Sequence, residues 1–239
     1  MANPTIGFIG YGNMAQAIAE GLVNAGTISG NDIVACAAHY DKLERNAAKL
    51  GAKAVHTAAQ VAEAADVVVI AIKPYQIEAV ISPIVDKLAQ PNTIVVSIAA
   101  GWDLNKFRDL FGTSFEQAHI QCTIPNTPMA VGKGVLVTEI DNTLTPEQTE
   151  VFENLFSSIS LIERVEILSG AGSAIYGSDA IAGVVNFKMN EKIDGITLDY
   201  RHGRTQHGGG LSHRLTATGG CPTDRFSIAG GIEYLDKRL

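Results

Sequence analysis

A glycine-rich turn near the start of the chain has the residue types that bind a diphosphate group. Its pattern is Gly10-x-Gly12-x-x-Ala15, and it lies between an apolar run at 5–9 and an amphipathic stretch at 14–25. The first glycine permits a tight turn, the second lets the backbone approach a pyrophosphate, and the small third residue keeps strand and helix close. The helix N-terminus then stabilises the phosphate charge. We predict that this turn binds a dinucleotide, with a purely structural turn as the alternative.

The second predicted strand, at 32–37, ends without the acidic residue that commonly binds the ribose hydroxyls of NAD. The next residues include His39, and the first carboxylate is that of Asp41, which we place inside the helix predicted at 40–50. Without a carboxylate there is no repulsion against a 2′-phosphate, so the sequence favours NADP(H), with NAD(H) as the alternative. His39 is a candidate contact for that phosphate, and a solvated loop histidine is the competing interpretation.

Three more segments with residues suited to ligand contact follow predicted strands. They are Ala71-Ile72-Lys73-Pro74, Ser97-Ile-Ala99-Ala-Gly101 and Pro125-Asn126-Thr127-Pro128, after strands predicted at 66–72, 93–99 and 120–124. In open α/β sheets, ligands bind outside the carboxyl ends of the strands. We therefore expect these segments and the glycine turn to line one crevice.

The elements that position these residues alternate between strand and helix. Thr57 and Gln60 have the spacing of a capping box, Gly51 is placed to end a helix, and Thr145-Pro146 is a helix start. The remaining predicted elements are helices at 77–88, 103–111 and 145–157 and a strand at 135–138. This alternation predicts an α/β fold with a Rossmann-like, doubly wound, mostly parallel sheet.

The composition changes near residue 160. Residues 1–160 contain nine Lys and Arg against sixteen Asp and Glu, whereas residues 161–239 contain nine of each. Thirteen of the 24 glycines lie in the second stretch, between short alternating segments typical of strands. We predict a dinucleotide-binding domain at 1–160 and a short β-rich or poorly ordered segment at 161–239.

Charge, cysteine content and hydropathy exclude several classes of protein. The net charge of −7 gives no reason to expect nucleic-acid binding. Cys36, Cys122 and Cys221 have neither disulfide nor metal-ligand spacing, so we expect buried thiols and no metal site. No apolar run approaches the roughly 18 residues of a membrane-spanning helix, and the first residues do not resemble a signal peptide. We expect a cytoplasmic protein without a membrane partner.

Together, the four motifs resemble those of the pyrroline-5-carboxylate reductases, from about residue 5 to residue 160. The matching segments are 6–18, 72–74, 96–101 and 124–128. The resemblance implies NAD(P)H-dependent reduction of a cyclic imine, 1-pyrroline-5-carboxylate, to L-proline in proline biosynthesis. It also implies a small-molecule imine substrate and a homo-oligomer.

Carried over to this chain, the resemblance places Asn126 beside the nicotinamide and the substrate, as the predicted catalytic residue. With His39 included, the predicted cofactor-binding residues are Gly10, Tyr11, Gly12, Asn13, Met14, His39, Ala71, Ile72, Lys73, Pro74 and Ala99.

The C-terminal part resembles a different family. Residues 162–187 resemble the end of the plug domain of TonB-dependent outer-membrane receptors, and 195–200, 211–218 and 226–234 resemble the first barrel strands of such receptors. The histidines and arginines at 201–214 are interpreted as a solvated loop rather than a metal or phosphate site. We infer a chimeric chain.

In the reductase family the corresponding region is helical, forms the dimer and supplies a hydrogen-bond donor to the imine nitrogen. No such donor is identified in this sequence. Two alternatives to a reductase therefore stay open: a dinucleotide-binding module without turnover, and a fragment of an outer-membrane receptor.

Overall fold

The computed structural model of the protein describes residues 4–168, 184–187, 195–204, 211–222 and 227–238. Contacts within the chain divide it into an α/β unit at residues 1–187 and a β unit at residues 188–239. The first sheet continues past residue 160, where the composition changes. The predicted domains at 1–160 and 161–239 stay a prediction.

The α/β unit is built on one sheet with helices packed against it. Its strands are β1 (Ile6–Ile9), β2 (Ile33–Cys36), β3 (Lys53–Ala54), β4 (Val67–Ile70), β5 (Ile94–Ser97), β6 (His119–Pro125), β7 (Gly134–Glu139), β8 (Ser160–Leu168) and β9 (Val184–Phe187). The α-helices are α1 (Asn13–Asn24), α2 (Tyr40–Ala47), α3 (Ala58–Ala64), α4 (Ile77–Ile81), α5 (Val85–Leu88), α6 (Leu104–Phe111) and α7 (Pro146–Ser157).

The strand order is β3-β2-β1-β4-β5-β6-β7-β8-β9. All neighbours from β3 to β6 are parallel, β7 and β8 are parallel, and the pairs β6–β7 and β8–β9 are antiparallel. This confirms the predicted Rossmann-like, mostly parallel sheet.

The central strands are buried on both faces because helices cover both. Every residue of β1, β2, β4 and β5 is buried. Alternate side chains of one strand point to opposite faces, so Val67 and Val69 join one hydrophobic cluster and Val68 and Ile70 join the other. Continuous valine and isoleucine runs therefore suit these positions.

Most local signals in the sequence form the predicted caps. Thr57 and Thr145 each close a capping box with the glutamine three residues later. A 3-10 turn at Ala48–Leu50 extends α2, and Gly51 ends it with a φ of 75°. The stretch 77–88 is helical as its apolar spacing predicts, but it is not one continuous α-helix. A 3-10 turn at Ser82–Ile84 separates α4 from α5 there, because Pro83 has no N–H to donate to the preceding turn.

A close contact fixes α1 against the segment that follows β6. This segment is a 3-10 helix at Thr127–Val131. A Cβ atom added to Gly21 of α1 would lie 2.2 Å from the carbonyl oxygen of Met129. The two elements can approach this closely only because Gly21 has no side chain.

The β unit is a three-stranded antiparallel sheet in the order β10-β11-β12. Its strands are β10 (Gly195–Arg204), β11 (Leu211–Pro222) and β12 (Ser227–Arg238), which confirms the predicted strands. The interpretation of 201–214 as a loop is wrong for the residues that the structure describes, since His202 pairs with His213 across β10 and β11. Residue 207 lies outside the described residues.

The register places exposed apolar side chains of the β unit on one face. Tyr200 lies opposite Leu215, and Leu215 lies opposite Tyr234. The exposed apolar residues of this face are Ile196, Leu198, Tyr200, Leu215, Ile232 and Tyr234.

Two searches of the described residues give negative results. No helix among them is long and apolar enough to cross a membrane. No group of three or more His, Cys, Asp or Glu side chains among them is arranged to hold a metal ion.

Replacing Gly21 with alanine tests the contact between α1 and the 3-10 helix. We expect Gly21→Ala to lower the free energy of unfolding by about 2 kcal/mol, because the methyl group would overlap a backbone carbonyl and overpacking outweighs the better helix propensity of alanine. Urea unfolding followed by the fluorescence of Trp102, the one tryptophan of the chain, measures this unit.

Glu20→Ala is the matched control on the same helix, because Glu20 is exposed. It should change the unfolding free energy by less than about 0.5 kcal/mol. Equal stability of Gly21→Ala and the wild-type chain would contradict the packing described here.

Candidate functional site

Gly10 is held in a narrow space between β2 and β4. Its N–H donates to the carbonyl of Cys36 at 2.9 Å, and its φ of +93° lies in the left-handed region. A Cβ atom there would lie 2.7 Å from the carbonyl oxygen of Ala71 and 2.8 Å from the side chain of Ile72. The tight turn predicted for Gly10 is therefore required by both the backbone and its neighbours.

Gly12 is open to solvent directly before α1. It is the N-cap residue with a φ of −79°, and nothing lies within 4 Å of a Cβ atom built on it. Asn13 and Met14 form the first turn, and no side chain caps the helix start. The free N–H groups and the open space above Gly12 fit a diphosphate.

Tyr11, between the two glycines, is only 5% exposed. Its ring packs edge-to-face on Phe8 at 5.7 Å between centroids. Burial, and after it the carboxylate of Glu20, raises the pKa of Tyr11 to about 12. Because the side chain lies in the core, Tyr11 presents only its backbone to a ligand at the turn.

The segment after β4 lies beside the glycine turn and is fixed by a tryptophan. The N–H of Ala71 donates to the carbonyl of Ile9 at 2.8 Å. Lys73 and Pro74 are exposed, and the indole Nε1 of Trp102 donates to the carbonyl of Pro74 at 3.1 Å. Trp102 thus joins the segments that follow β4 and β5. Sequence reasoning missed it, although it directly follows the Ser97–Gly101 motif.

The ends of β5 and β6 are joined by hydroxyl groups. Thr123 donates its Oγ1–H to the carbonyl of Ser97 at 2.9 Å, and the Oγ of Ser97 accepts from the N–H of Ala99 at 3.3 Å. Ala99 is 6% exposed, so its side chain supports the segment rather than extending into solvent.

Asn126, the predicted catalytic residue, is exposed at the end of β6. Its Oδ1 accepts a hydrogen bond from the N–H of Val135 at 2.8 Å, which fixes the amide group across the turn to β7. The side-chain NH₂ has no hydrogen-bond partner among the described residues. Asn126 therefore presents a fixed donor.

His39 occupies the N-cap position of α2 and is exposed. Its side chain does not cap the helix. Asp41 lies in the first turn of α2, as predicted. His39 is thus free to contact a ligand from the end of β2.

The structure brings these residues to one edge of the sheet. Gly10, His39, Lys73, Ala99 and Asn126 follow the carboxyl ends of β1, β2, β4, β5 and β6, which are parallel neighbours in the order β2-β1-β4-β5-β6. Gly10 directly adjoins Ala71 and Ile72, whereas Asn126 lies two strands beyond β4. The arrangement forms an edge with the uncapped start of α1 near one end and the Asn126 amide donor at some distance from it.

The thiols near this edge are buried and free. Burial raises the pKa of Cys36, against the opposing effect of a hydrogen bond from the Gly10 backbone, and burial also raises the pKa of Cys122. Since the reactive thiolate is disfavoured, neither cysteine is suited to nucleophilic chemistry. The side chain of Cys221 lies outside the described residues.

Among the residues that the structure describes, Glu139, at the end of β7, is a carboxylate with a strongly shifted pKa. Its Oε2 accepts from the N–H of Leu104 at 3.4 Å, at the start of α6. Burial raises its pKa to about 7; the Leu104 hydrogen bond opposes this shift, and the carboxylates of Asp103 and Asp141 add to it.

Comparison with known proteins identifies relatives of this chain. The family described as NADP oxidoreductase, coenzyme F420-dependent, matches residues 5–101. The pyrroline-5-carboxylate reductase of Treponema pallidum is 31% identical over 174 residues, which are 72% of this chain and 64% of the relative. That of Arabidopsis thaliana is 32% identical over 179 residues, which are 71% of this chain and 62% of the relative. The chain is related to the pyrroline-5-carboxylate reductases. The predicted resemblance to that family is confirmed.

Solved structures show the same relationship. A pyrroline-5-carboxylate reductase from Coxiella burnetii superposes with a TM-score of 0.61 at 30% identity, covering 72% of this chain and 61% of that one. The Plasmodium falciparum pyrroline carboxylate reductase with NADP bound has a TM-score of 0.60 at 23% identity, covering 70% and 59%, and shows a shared fold. The chain spans less than two thirds of the length of the reductases it matches.

A second family matches the later part of the chain. The TonB-dependent Receptor Plug Domain family matches residues 133–184. Its described part includes β7, α7 and β8, which belong to the α/β unit. The match overlaps the plug resemblance predicted at 162–187 but begins within the segment that resembles the reductases, and the chimeric origin of the chain stays a prediction.

The two glycines of the turn should respond differently to alanine. Gly10→Ala should lower the free energy of unfolding by at least about 2 kcal/mol, because alanine is strained at this φ and overlaps Ala71. Gly12→Ala should stay within about 1 kcal/mol of the wild type, because its backbone is extended and the space is open. Urea unfolding of both variants checks this, and equal losses of stability would contradict the geometry.

The Glu139 carboxylate should make stability depend on pH. Its folded pKa, about 7, lies above the ordinary 4.5, so the folded state retains a proton that the unfolded state releases. Stability should therefore fall as pH rises from about 4.5 to about 7. Glu139→Gln should remove this fall and stabilise the protein at pH above 7 by on the order of 1 kcal/mol, allowing for partial exposure. Urea unfolding of both proteins at acidic and alkaline pH is the measurement; an unchanged pH profile in the variant would refute the assignment.

Proposed function

We propose that the α/β unit binds NADP(H), with NAD(H) as the weaker alternative, and reduces 1-pyrroline-5-carboxylate to L-proline. The observation that carries this proposal is the placement of all four reductase-like motifs after neighbouring strands at one sheet edge. The relationship to pyrroline-5-carboxylate reductases supports the reaction, and the NADP-bound Plasmodium relative supports the cofactor.

The cofactor would lie along this edge from β2 to β6. The N–H groups at the start of α1, with Gly12, would hold the diphosphate. Residues 71–74 and Ala99 would line the path towards β6, and Trp102 would keep these segments in place through its hydrogen bond to Pro74. When bound, NAD(P)H supplies a hydride to the imine carbon.

Asn126 would orient the reacting groups. Its Oδ1 is engaged by Val135, so its NH₂ group is held in one direction. Because the amide donor is already fixed, it can align a carbonyl or carboxylate group with little loss of rotational entropy during the reaction. We propose that this donor holds the substrate or the carboxamide of the nicotinamide ring in reacting geometry.

A second candidate is a dinucleotide-binding module without turnover. The resemblance implies a helical C-terminal region that carries the donor to the imine nitrogen, whereas the described part of residues 188–239 consists of strands. Cofactor binding depends on the α/β unit alone, so it would survive the loss of that donor. Homo-oligomerisation and a cytoplasmic location stay predictions from the sequence.

Titration and turnover separate the two candidates. NADPH fluorescence should change on binding to the full chain, and added pyrroline-5-carboxylate should then be consumed with loss of NADPH absorbance. Binding without consumption would favour the module, and no binding would contradict both.

Asn126→Asp is the matched variant, because aspartate keeps the acceptor for Val135 and loses the donor. We expect kcat to fall at least about tenfold, as for the loss of one positioned donor, with NADPH affinity much less affected. An unchanged kcat would show that the Asn126 donor takes no part in the reaction.

A further inference from the structure

Two aromatic side chains from different segments stack at one end of the candidate site. The rings of Tyr40 and His56 lie 4.0 Å apart between centroids and are inclined by 17°. Tyr40 is the first residue of α2 and directly follows His39, whereas His56 lies two residues after β3. The stack therefore links the segments that follow β2 and β3.

These segments lie on the same edge as the glycine turn. Strands β2 and β3 are parallel, with Ala35 in register with Ala54, and the N–H of Val55 donates to the carbonyl of Ala35 at 2.8 Å. Strand β2 is also the neighbour of β1, and Gly10 donates to the carbonyl of Cys36. The stack therefore lies past β2 on the side away from Asn126, where the adenosine half of a dinucleotide would extend.

The stack holds an imidazole that is exposed and free to bind. His56 is exposed, Tyr40 is partly buried, and His39 is exposed beside them. No side-chain hydrogen bond or ion pair of either histidine occurs in the described part of the chain. Since the Tyr40 ring restricts the His56 side chain, less entropy is lost when the imidazole binds a ligand.

The charges around this corner suit an anion. The segments 33–40 and 52–57 contain no Asp or Glu. The carboxylates that adjoin the first segment are those of Asp32, which precedes β2, and Asp41, which lies in the first turn of α2. Two imidazoles with free nitrogens can donate hydrogen bonds to a phosphate monoester.

We propose that His56, positioned by Tyr40, binds the 2′-phosphate of NADP(H) together with His39 and so determines the preference for NADP(H) over NAD(H). This proposal rests on the proposed dinucleotide site, and to His39, which the sequence already suggested as a contact for this phosphate, it adds His56 and its positioning by Tyr40. Tyr40 is a positioning residue, because it acts through the imidazole that it holds.

Dissociation constants of the full chain for NADPH, NADH and 2′,5′-ADP test the proposal. His56→Ala should raise the Kd for NADPH and for 2′,5′-ADP about tenfold, the effect of one hydrogen bond to a charged group, and should leave the Kd for NADH unchanged. Tyr40→Ala should likewise raise the ratio of the Kd for NADPH to the Kd for NADH. Tyr40→Phe should keep this ratio at its wild-type value, because phenylalanine keeps the stacked ring.

His119→Gln is the control, because His119 begins β6 at the opposite edge of the sheet, where its Nδ1 lies 2.9 Å from the carbonyl oxygen of Thr143. It should leave all three constants unchanged. His56→Gln provides a second variant if the alanine variant does not fold, and it should shift the ratio in the same direction.

The outcomes are distinguishable. If the wild-type chain binds both dinucleotides and His56→Ala leaves their ratio unchanged, the assignment of His56 is wrong and the dinucleotide site stands. If the wild-type chain binds neither dinucleotide nor 2′,5′-ADP, both proposals are wrong. Equal weakening of NADPH and NADH by His56→Ala would overturn the role in specificity.

Discussion

The narrow space around Gly10 is the constraint on which the rest of the site depends. Strands β2 and β4 flank β1: the carbonyl of Cys36 at the end of β2 accepts the Gly10 N–H, and the carbonyl of Ala71, directly after β4, leaves no room for a side chain on Gly10. The chain must turn there, so α1 begins directly above the sheet edge. Further along α1, Gly21 meets the carbonyl of Met129, which sets the position of the segment that begins at Asn126. Two glycines thus fix the start of α1 relative to the amide donor of Asn126.

Features encoded within a few residues could be predicted from the sequence, and features that depend on distant pairing could not. The capping boxes at Thr57 and Thr145 and the buried valine strands are local, and they form as expected. The break near Pro83 was also local, but helical periodicity alone concealed it. Strand β8 pairs with β7 through its backbone, so a change in composition near residue 160 does not end the sheet.

In the candidate site, too, local motifs could be predicted and contacts between distant segments could not. Its motifs were visible because they follow strands directly, and the resemblance to a known family added Asn126. The Tyr40–His56 stack and the Trp102 hydrogen bond join segments that are separated by 16 and 28 residues, and no spacing rule connects them. The hydroxyl bridge from Thr123 to Ser97 likewise depends on β5 and β6 being neighbours.

The position of Trp102 makes its fluorescence sensitive to a cofactor bound at this edge. The indole is partly exposed and donates to Pro74, within the segment proposed to line the cofactor path. Reduced nicotinamide absorbs where indole emits, so a bound cofactor would accept excitation energy from this residue by resonance transfer. Because Trp102 is the one tryptophan of the chain, that signal would report occupancy of this edge without a label and without contributions from the β unit.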